Sequence, residues 1–341
     1  MPIFNGCWIT LNRECNLRCK WCYSQTAGYE KKNNMSFQTL NQILGFCADS
    51  GVKHITLIGG EPTLYPNLEE VIKRISALNV SVGMVTNGLL LENEELIKRL
   101  KEAGLDSFSL SLKGSDREEF KQITGYDNFD TVLKAIENLS KAKVKFAISE
   151  VLTNDNIDTY CKGLEAAYAS GARNFHLSFC YNFNTGTVNF DYREKNNPQK
   201  LVDGFMRNYD RLNKVTKGHF NLFQALPFCL WDESFIQTLV KRKQINSICQ
   251  LLKGTGIIFD EQGYVIPCNA MHKIKIAQIG KHFTSLNELL NLYRTEEVSV
   301  LFNKLRGLPD EKCAECNKLK YCGGGCVCQY TNYSLKDILR N

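Results

Sequence analysis

From residue 7 to about residue 180 the chain alternates short apolar runs with segments of helical periodicity. Apolar runs bounded by turn signals read as strands, and longer stretches with a 3.6-residue period read as helices. Strands are expected at 8–11, 54–58, 80–86, 107–112, 145–152 and 174–179. Helices are expected at 37–50, 67–78, 93–103, 129–142 and 155–170. Ser36 stands where an N-cap belongs, and Gly51, Gly104 and Gly171 each follow a helix as C-terminal caps. Strand–helix repeats of this kind predict an α/β fold with a parallel sheet. Six repeats rather than eight predict a partial (β/α)6 TIM-type barrel. In such folds ligands gather at the C-terminal ends of the strands, so the first strand–helix loop is where chemistry is expected.

Beyond residue 180 the pattern changes. Residues 182–200 are polar and loop-like, and a helix is expected over 201–214. Two β-type runs, 256–259 and 264–267, flank Asp260-Glu261-Gln262-Gly263 and read as a hairpin. A helical stretch at 285–305 leads into a cysteine-dense tail. The expected division is a core over 1–218 and a C-terminal, cysteine-rich unit over 219–341, with 219–248 as a bridging linker.

Composition narrows the picture. The 341 residues are 43% hydrophobic, enough for a large core. No apolar run approaches the roughly 18 residues of a membrane span, and the N-terminus lacks a signal pattern, so a cytoplasmic protein is expected. The net charge of +6 is spread over both halves. It demands neither nucleic acid nor membrane, although a mildly basic surface attracts acidic peptides. Lys241-Arg242-Lys243 reads as a solvated helix face. Fifteen cysteines in a cytoplasmic chain favour metal binding over disulfides. Cys7, Cys47, Cys161, Cys180 and Cys229 are scattered singly and read by default as small buried hydrophobes.

Cys15, Cys19 and Cys22 sit in the first loop, in the run Cys-Asn-Leu-Arg-Cys-Lys-Trp-Cys-Tyr. Three local thiolates hold three corners of a four-iron, four-sulfur cube and leave one iron open to a substrate or second cofactor. A structural zinc site wants four ligands, and no fourth Cys or His lies nearby. The spacing, with Trp21 just before the last cysteine, resembles the signature of the radical S-adenosylmethionine (radical SAM) superfamily. After the second strand comes Gly59-Gly60-Glu61-Pro62, whose glycines let backbone approach a ligand closely. In the family this motif holds the amino group of S-adenosylmethionine. Asn87 closes the third strand, and Ser111, on the fourth, matches a family serine that faces the adenosine ribose. Lys113 stands where the family commonly has an acid. Trp21 is expected beside the adenine or shielding the cluster. The resemblance implies reductive cleavage to a 5′-deoxyadenosyl radical, which takes hydrogen from an unactivated C–H bond, with flavodoxin or ferredoxin as electron donor.

A second group follows: Cys249, Gly263 and Cys268 at fixed separations, then Cys313-x2-Cys316-x5-Cys322-x3-Cys326. This resembles the SPASM extension, which binds two auxiliary four-iron clusters. A zinc ribbon would accept the last four cysteines but leaves Cys249, Gly263 and Cys268 unexplained. By the resemblance, Cys249, Cys268 and Cys326 hold the first auxiliary cluster. Cys313, Cys316, Cys322 and Cys328 hold the second. The fourth ligand of the first is Cys229 or an open site.

SPASM enzymes mostly act on peptides or proteins, so oxidative modification of a ribosomally made peptide, such as a thioether, C–C or ether crosslink, is expected. A separate leader-binding protein is a possible partner, since only fourteen residues precede Cys15. Rival readings are a sulfatase (formylglycine) maturase, a small-molecule dehydrogenase, or a non-catalytic Fe–S or zinc scaffold. Asn269, where the sulfatase branch often carries an acid, counts against the first. Glu150, Asp232 and Glu233 are the candidate general bases. Glu150 interrupts an otherwise apolar strand, where burial would raise its pKa.

Overall fold

The structure is a computed structural model. It describes residues 4–24, 33–180, 197–223, 226–246, 249, 253–305 and 311–326. One sheet of eleven strands runs through it, in the order β11-β10-β9-β1-β2-β3-β4-β5-β6-β7-β8. The expected six strands appear as β1 (Gly6–Thr10), β2 (His54–Ile58), β3 (Ser81–Thr86), β4 (Ser107–Leu112), β5 (Lys145–Leu152) and β6 (Phe175–Phe179). All pair in parallel with their sequence neighbours. The sheet continues through β7 (Phe220–Phe223) and β8 (Ile245–Asn246), also parallel. Residues expected to be a linker therefore carry two strands of the same sheet. Those strands are short, and one holds only two residues, too few to display a period.

On the other side, β9 (Gly256–Phe259) lies parallel to β1, with Gly6 opposite Gly256. It forms the expected hairpin with β10 (Tyr264–Val265), and β11 (Ala277–Gln278) adds an antiparallel edge. The C-terminal hairpin is thus hydrogen-bonded directly to the first strand of the core.

The connecting helices are α1 (Phe37–Asp49), α2 (Leu68–Ser76), α3 (Glu94–Glu102), α4 (Arg117–Thr124), α5 (Phe129–Lys141), α6 (Tyr160–Ala169) and α7 (Pro198–Thr216). Then come α8 (Glu233–Lys241), α9 (Leu286–Tyr293), α10 (Glu296–Leu305) and α11 (Leu319–Cys322). Ser36 caps α1, its side chain accepting from the Thr39 amide. Gly51, Gly104 and Gly171 all have positive φ, as the caps require. The helical stretch expected at 285–305 divides into α9 and α10 around Arg294. Helix α4 was absent from the sequence reading, since eight residues give barely two turns of periodicity.

Helices bury one stripe against the sheet. In α2 the buried residues are Leu68, Val71, Ile72 and Ile75, a spacing of three, four and seven. Each such side chain contributes about 1.5–3 kcal/mol when fully buried. The strands alternate accordingly. In β4, Phe108, Leu110 and Leu112 are buried beneath helices, while Ser107, Ser109 and Ser111 face the lumen and are only half-buried. The same alternation sets Ile148, Glu150 and Leu152 of β5 on the helix side. Among the described residues no helix is long and apolar enough to cross a membrane.

Candidate active site

The cysteine loop leaves β1 at the C-terminal end of the sheet and is tied down by backbone. Arg18 N donates to Thr124 O and Lys20 N to Ile123 O, both 3.0 Å, so the end of α4 braces the loop. Glu61 N donates to Glu14 O at 2.7 Å and Gly60 N to Asn12 O at 2.9 Å. A Cβ on Gly60 would lie 2.3 Å from Glu14 O and 2.4 Å from Arg13 O, and one on Gly59 would lie 2.0 Å from Asn12 Oδ1. Backbone does approach these glycines closely, but the approaching partner is the start of the cysteine loop. Arg13 adds a buried ion pair to Glu261, on the hairpin turn, at 2.7 Å, with side-chain exposures of 3% and 9%.

Glu61 is 1% exposed and is the hub of the site. Its Oε1 accepts from Thr63 N (3.1 Å), Thr63 Oγ1 (2.7 Å) and Thr86 Oγ1 (2.6 Å), while Oε2 accepts from Asn87 N (2.7 Å). The carboxylate thus locks the end of β3 to the turn after β2. Asn87 extends the lock, its Nδ2 donating to Asn16 Oδ1 at 2.7 Å.

Around this hub a cavity of about 340 Å³ opens. Cys15, Cys19 and Cys22 line it together with Trp21, Gly59, Gly60, Glu61, Asn87 and Ser111. The expected cluster and adenosylmethionine residues are thus brought to one wall. Cys268 and Asn269 reach the same cavity from the C-terminal unit. So do Thr86, Lys113 and Cys180, which the sequence reading did not count as site residues. The signal for Cys180 was present: with His176 and Ser178 it continues the lumen-facing alternation of β6.

Burial pushes the Cys15 thiol up to about 11 and that of Cys19 to about 12. The ammonium of Lys113 opposes both shifts. Such thiols stay protonated until a metal displaces the proton. Three thiols in one loop, with a cavity in front of them, fit a cluster held at three corners. Among the described residues no three His, Cys, Asp or Glu side chains converge on a single-ion position. Thiolates around a four-iron cube stand farther apart than the ligands of one ion.

A second cavity of about 540 Å³ continues the lumen and shares Trp8, Val85, Ser178 and Asn269 with the first. Its polar lining includes Ser109, Ser149 and His176. Ser111, Ser149 and His176 stand opposite one another in register across β4, β5 and β6. Burial lowers the His176 pKa below its ordinary 6.5, which keeps the ring neutral at pH 7.

None of the three candidate bases reaches either cavity lining. Glu150 is 1% exposed and lies on the helix face of β5. Its Oε1 accepts from Gly114 N (3.4 Å) and Asn156 Nδ2 (3.2 Å), and burial raises its pKa well above the ordinary value. The raised pKa was foreseen, but strand alternation points the carboxyl away from the lumen. Asp232 is the N-cap of α8, accepting from Ser234 Oγ and Phe235 N, which lowers its pKa. Glu233 pairs with Lys318 at 3.0 Å.

The C-terminal cysteines fall into two sets. Cys326 is buried with Ala270, Met271 and Phe302, and Cys249, Cys268 and Tyr23 pack against that group. Cys322 lies elsewhere, in the main core, and accepts a hydrogen bond from Phe228 N at 3.3 Å. Its thiol pKa is raised, first by burial and further by the nearby thiols of Cys229 and Cys313. The Phe228 contact brings the neighbouring residue Cys229 to the side of Cys322. Cys328 lies outside the described residues.

Residues 9–166 match the Radical SAM superfamily. A probable GTP 3′,8-cyclase of Pyrococcus abyssi is 35% identical over 153 residues, covering 44% of this chain and 49% of that protein. One of Metallosphaera sedula is 31% identical over 188 residues, covering 54% and 59%. The chain therefore spans about half the length of the curated relatives it matches. Among solved structures, Streptococcus suis SuiB bound to precursor peptide SuiA superposes with a TM-score of 0.71 at 19% identity, covering 98% of this chain and 76% of that one. The structure of anSMEcpe with bound AdoMet gives 0.71 at 21%, covering 96% and 90%. At such identities the likeness is one of fold, and it extends through the C-terminal unit. Taken with the cysteine loop and its cavity, these matches identify residues 9–166 as a radical SAM domain.

Proposed function

We propose that this protein is a radical SAM enzyme that oxidatively modifies a ribosomally made peptide. The observation that carries the reading is the single cavity shared by Cys15, Cys19, Cys22, Glu61 and Ser111, with Cys268 of the C-terminal unit at its margin. When bound, a four-iron cluster and S-adenosylmethionine supply reductive cleavage and a radical able to take hydrogen from carbon. The chain's own residues position and seclude that chemistry. The three cysteines hold the metal, and Glu61 and Asn87 fix the loop that presents them. Ser111 meets the ribose, and Trp21 walls off water. His176, neutral and facing the lumen, accepts the proton that an oxidation releases.

A peptide is favoured because the fold likeness to SuiB, a protein solved bound to the precursor peptide SuiA, covers 98% of this chain. Conversion of GTP, suggested by the sequence relatives, is the second reading. It meets an electrostatic obstacle: among the described residues Lys113 and no arginine lines the two cavities, a poor match for a triphosphate. Asn269 on the cavity wall, in place of an acid, disfavours formylglycine formation.

The test is anaerobic reconstitution, chemical reduction, and detection of 5′-deoxyadenosine by mass spectrometry. Cleavage is expected, and Cys15→Ala is expected to abolish it. A short peptide encoded beside the gene should be modified, and GTP should not. GTP turnover would sink the peptide reading. His176→Gln should lower peptide product at least tenfold while 5′-deoxyadenosine still forms, and unchanged product would remove His176 from that role.

A further inference from the structure

The sequence provides three cysteines of one C-terminal set, Cys313, Cys316 and Cys322, within ten residues. The resemblance gives Cys328 as its fourth member, but the fold brings another thiol to it from a distant segment. The short 3-10 turn Phe228–Leu230 packs on α11. Its Phe228 amide donates to Cys322 Sγ at 3.3 Å, in a buried contact between residues 94 apart in sequence. Backbone N–H groups pointed at sulfur are a recurring device around iron–sulfur clusters, where they tune the ligand. That contact anchors the next residue, Cys229, at the same place. Cys229 lies close enough to Cys322 to be felt electrostatically, as does Cys313. Cys316 follows in the same turn, its amide donating to Cys313 O at 3.2 Å.

Exposure agrees. Phe228 and Trp231 are buried on either side, yet Cys229 is exposed, as is Cys316. A cysteine serving as a small hydrophobe would be buried. Cys249, Cys268 and Cys326 of the other set gather around a separate apolar cluster.

We propose that Cys229 is the fourth thiolate of the site formed by Cys313, Cys316 and Cys322. The assignment rests on the reading that this chain carries auxiliary iron–sulfur clusters, and it departs from the pattern in which a later cysteine closes the set. It makes the segment after β7 part of a metal site and staples that segment to the tail.

The experiment compares Cys229→Ala and Cys328→Ala after anaerobic reconstitution. Three four-iron clusters give about twelve irons per chain. Cys229→Ala should fall to about eight, or convert one cluster to a three-iron form seen by electron paramagnetic resonance, while Cys328→Ala keeps about twelve. Full iron and an unchanged spectrum in Cys229→Ala overturn the assignment. Should that variant not fold, wild-type protein decides by alkylation. Cys229 should resist iodoacetamide in the loaded protein and react once a chelator has stripped the metal. Equal reactivity in both states overturns the assignment. Cleavage of S-adenosylmethionine, scored on the same samples, reports the N-terminal loop and so tests the broader reading separately.

Discussion

The two cysteine groups differ in how they are held. The N-terminal three occupy eight residues of one loop, which buried charge and backbone hydrogen bonds fix from four directions: Glu61, Asn87, the end of α4 and the Arg13–Glu261 pair. Of the C-terminal cysteines, which come from separate segments, Cys322 lies in the main core and Cys326 packs with Met271 and Phe302, while Cys229 and Cys316 are exposed. The N-terminal loop opens on a cavity, and polar contacts beneath it add to the packing of Leu17 and Cys19 in the core.

The contrast can be broken by removing the polar braces. Arg13→Met leaves Glu261 as a buried unpaired carboxylate, a loss of about 3–5 kcal/mol. Melting temperature should drop, and irons should be lost first from the N-terminal site. Equal loss from both groups would erase the distinction. Glu61→Gln comes next. An amide in its place meets donors at both oxygen positions, so at least one hydrogen bond becomes a donor–donor contact, at about 1–3 kcal/mol. Affinity for S-adenosylmethionine, followed by calorimetry, should weaken while the C-terminal irons stay. The smallest effect belongs to Glu150→Gln. The folded-state pKa of Glu150 is raised, so the native state holds a proton that the unfolded chain releases above about pH 4.3. Wild-type stability therefore falls as pH climbs from there toward the raised value. The glutamine variant should escape that fall, gaining melting temperature at pH 8 relative to wild type and little at pH 4. Its 5′-deoxyadenosine formation should match wild type, and a loss of cleavage would return Glu150 to the site.

Local regularity was legible. Spacing within one loop named Cys15, Cys19 and Cys22, and apolar runs between turn signals bounded β2, β4 and β5 to the residue. What alternation also contained, but the search for a base overlooked, was direction: Glu150 shares a face with Ile148 and Leu152, whereas His176 shares one with Ser178 and Cys180. Long-range grouping was not legible. Nothing in the spacing of Cys229 says that it meets Cys322 rather than Cys249, because the hydrogen bond that decides it joins residues 94 apart. The elements missed were likewise short, α4, β7, β8 and α8 among them, and their form is imposed by neighbours more than by their own sequence.

Strand β1 shares its two edges with β2, which soon follows it, and with β9, which lies two hundred and fifty residues later at Gly256. During synthesis one flank of that strand stays unzipped until most of the polypeptide has left the ribosome. The cysteine loop just downstream of it, whose Arg13 pairs with Glu261, therefore reaches its last contacts only once the C-terminal hairpin is in place.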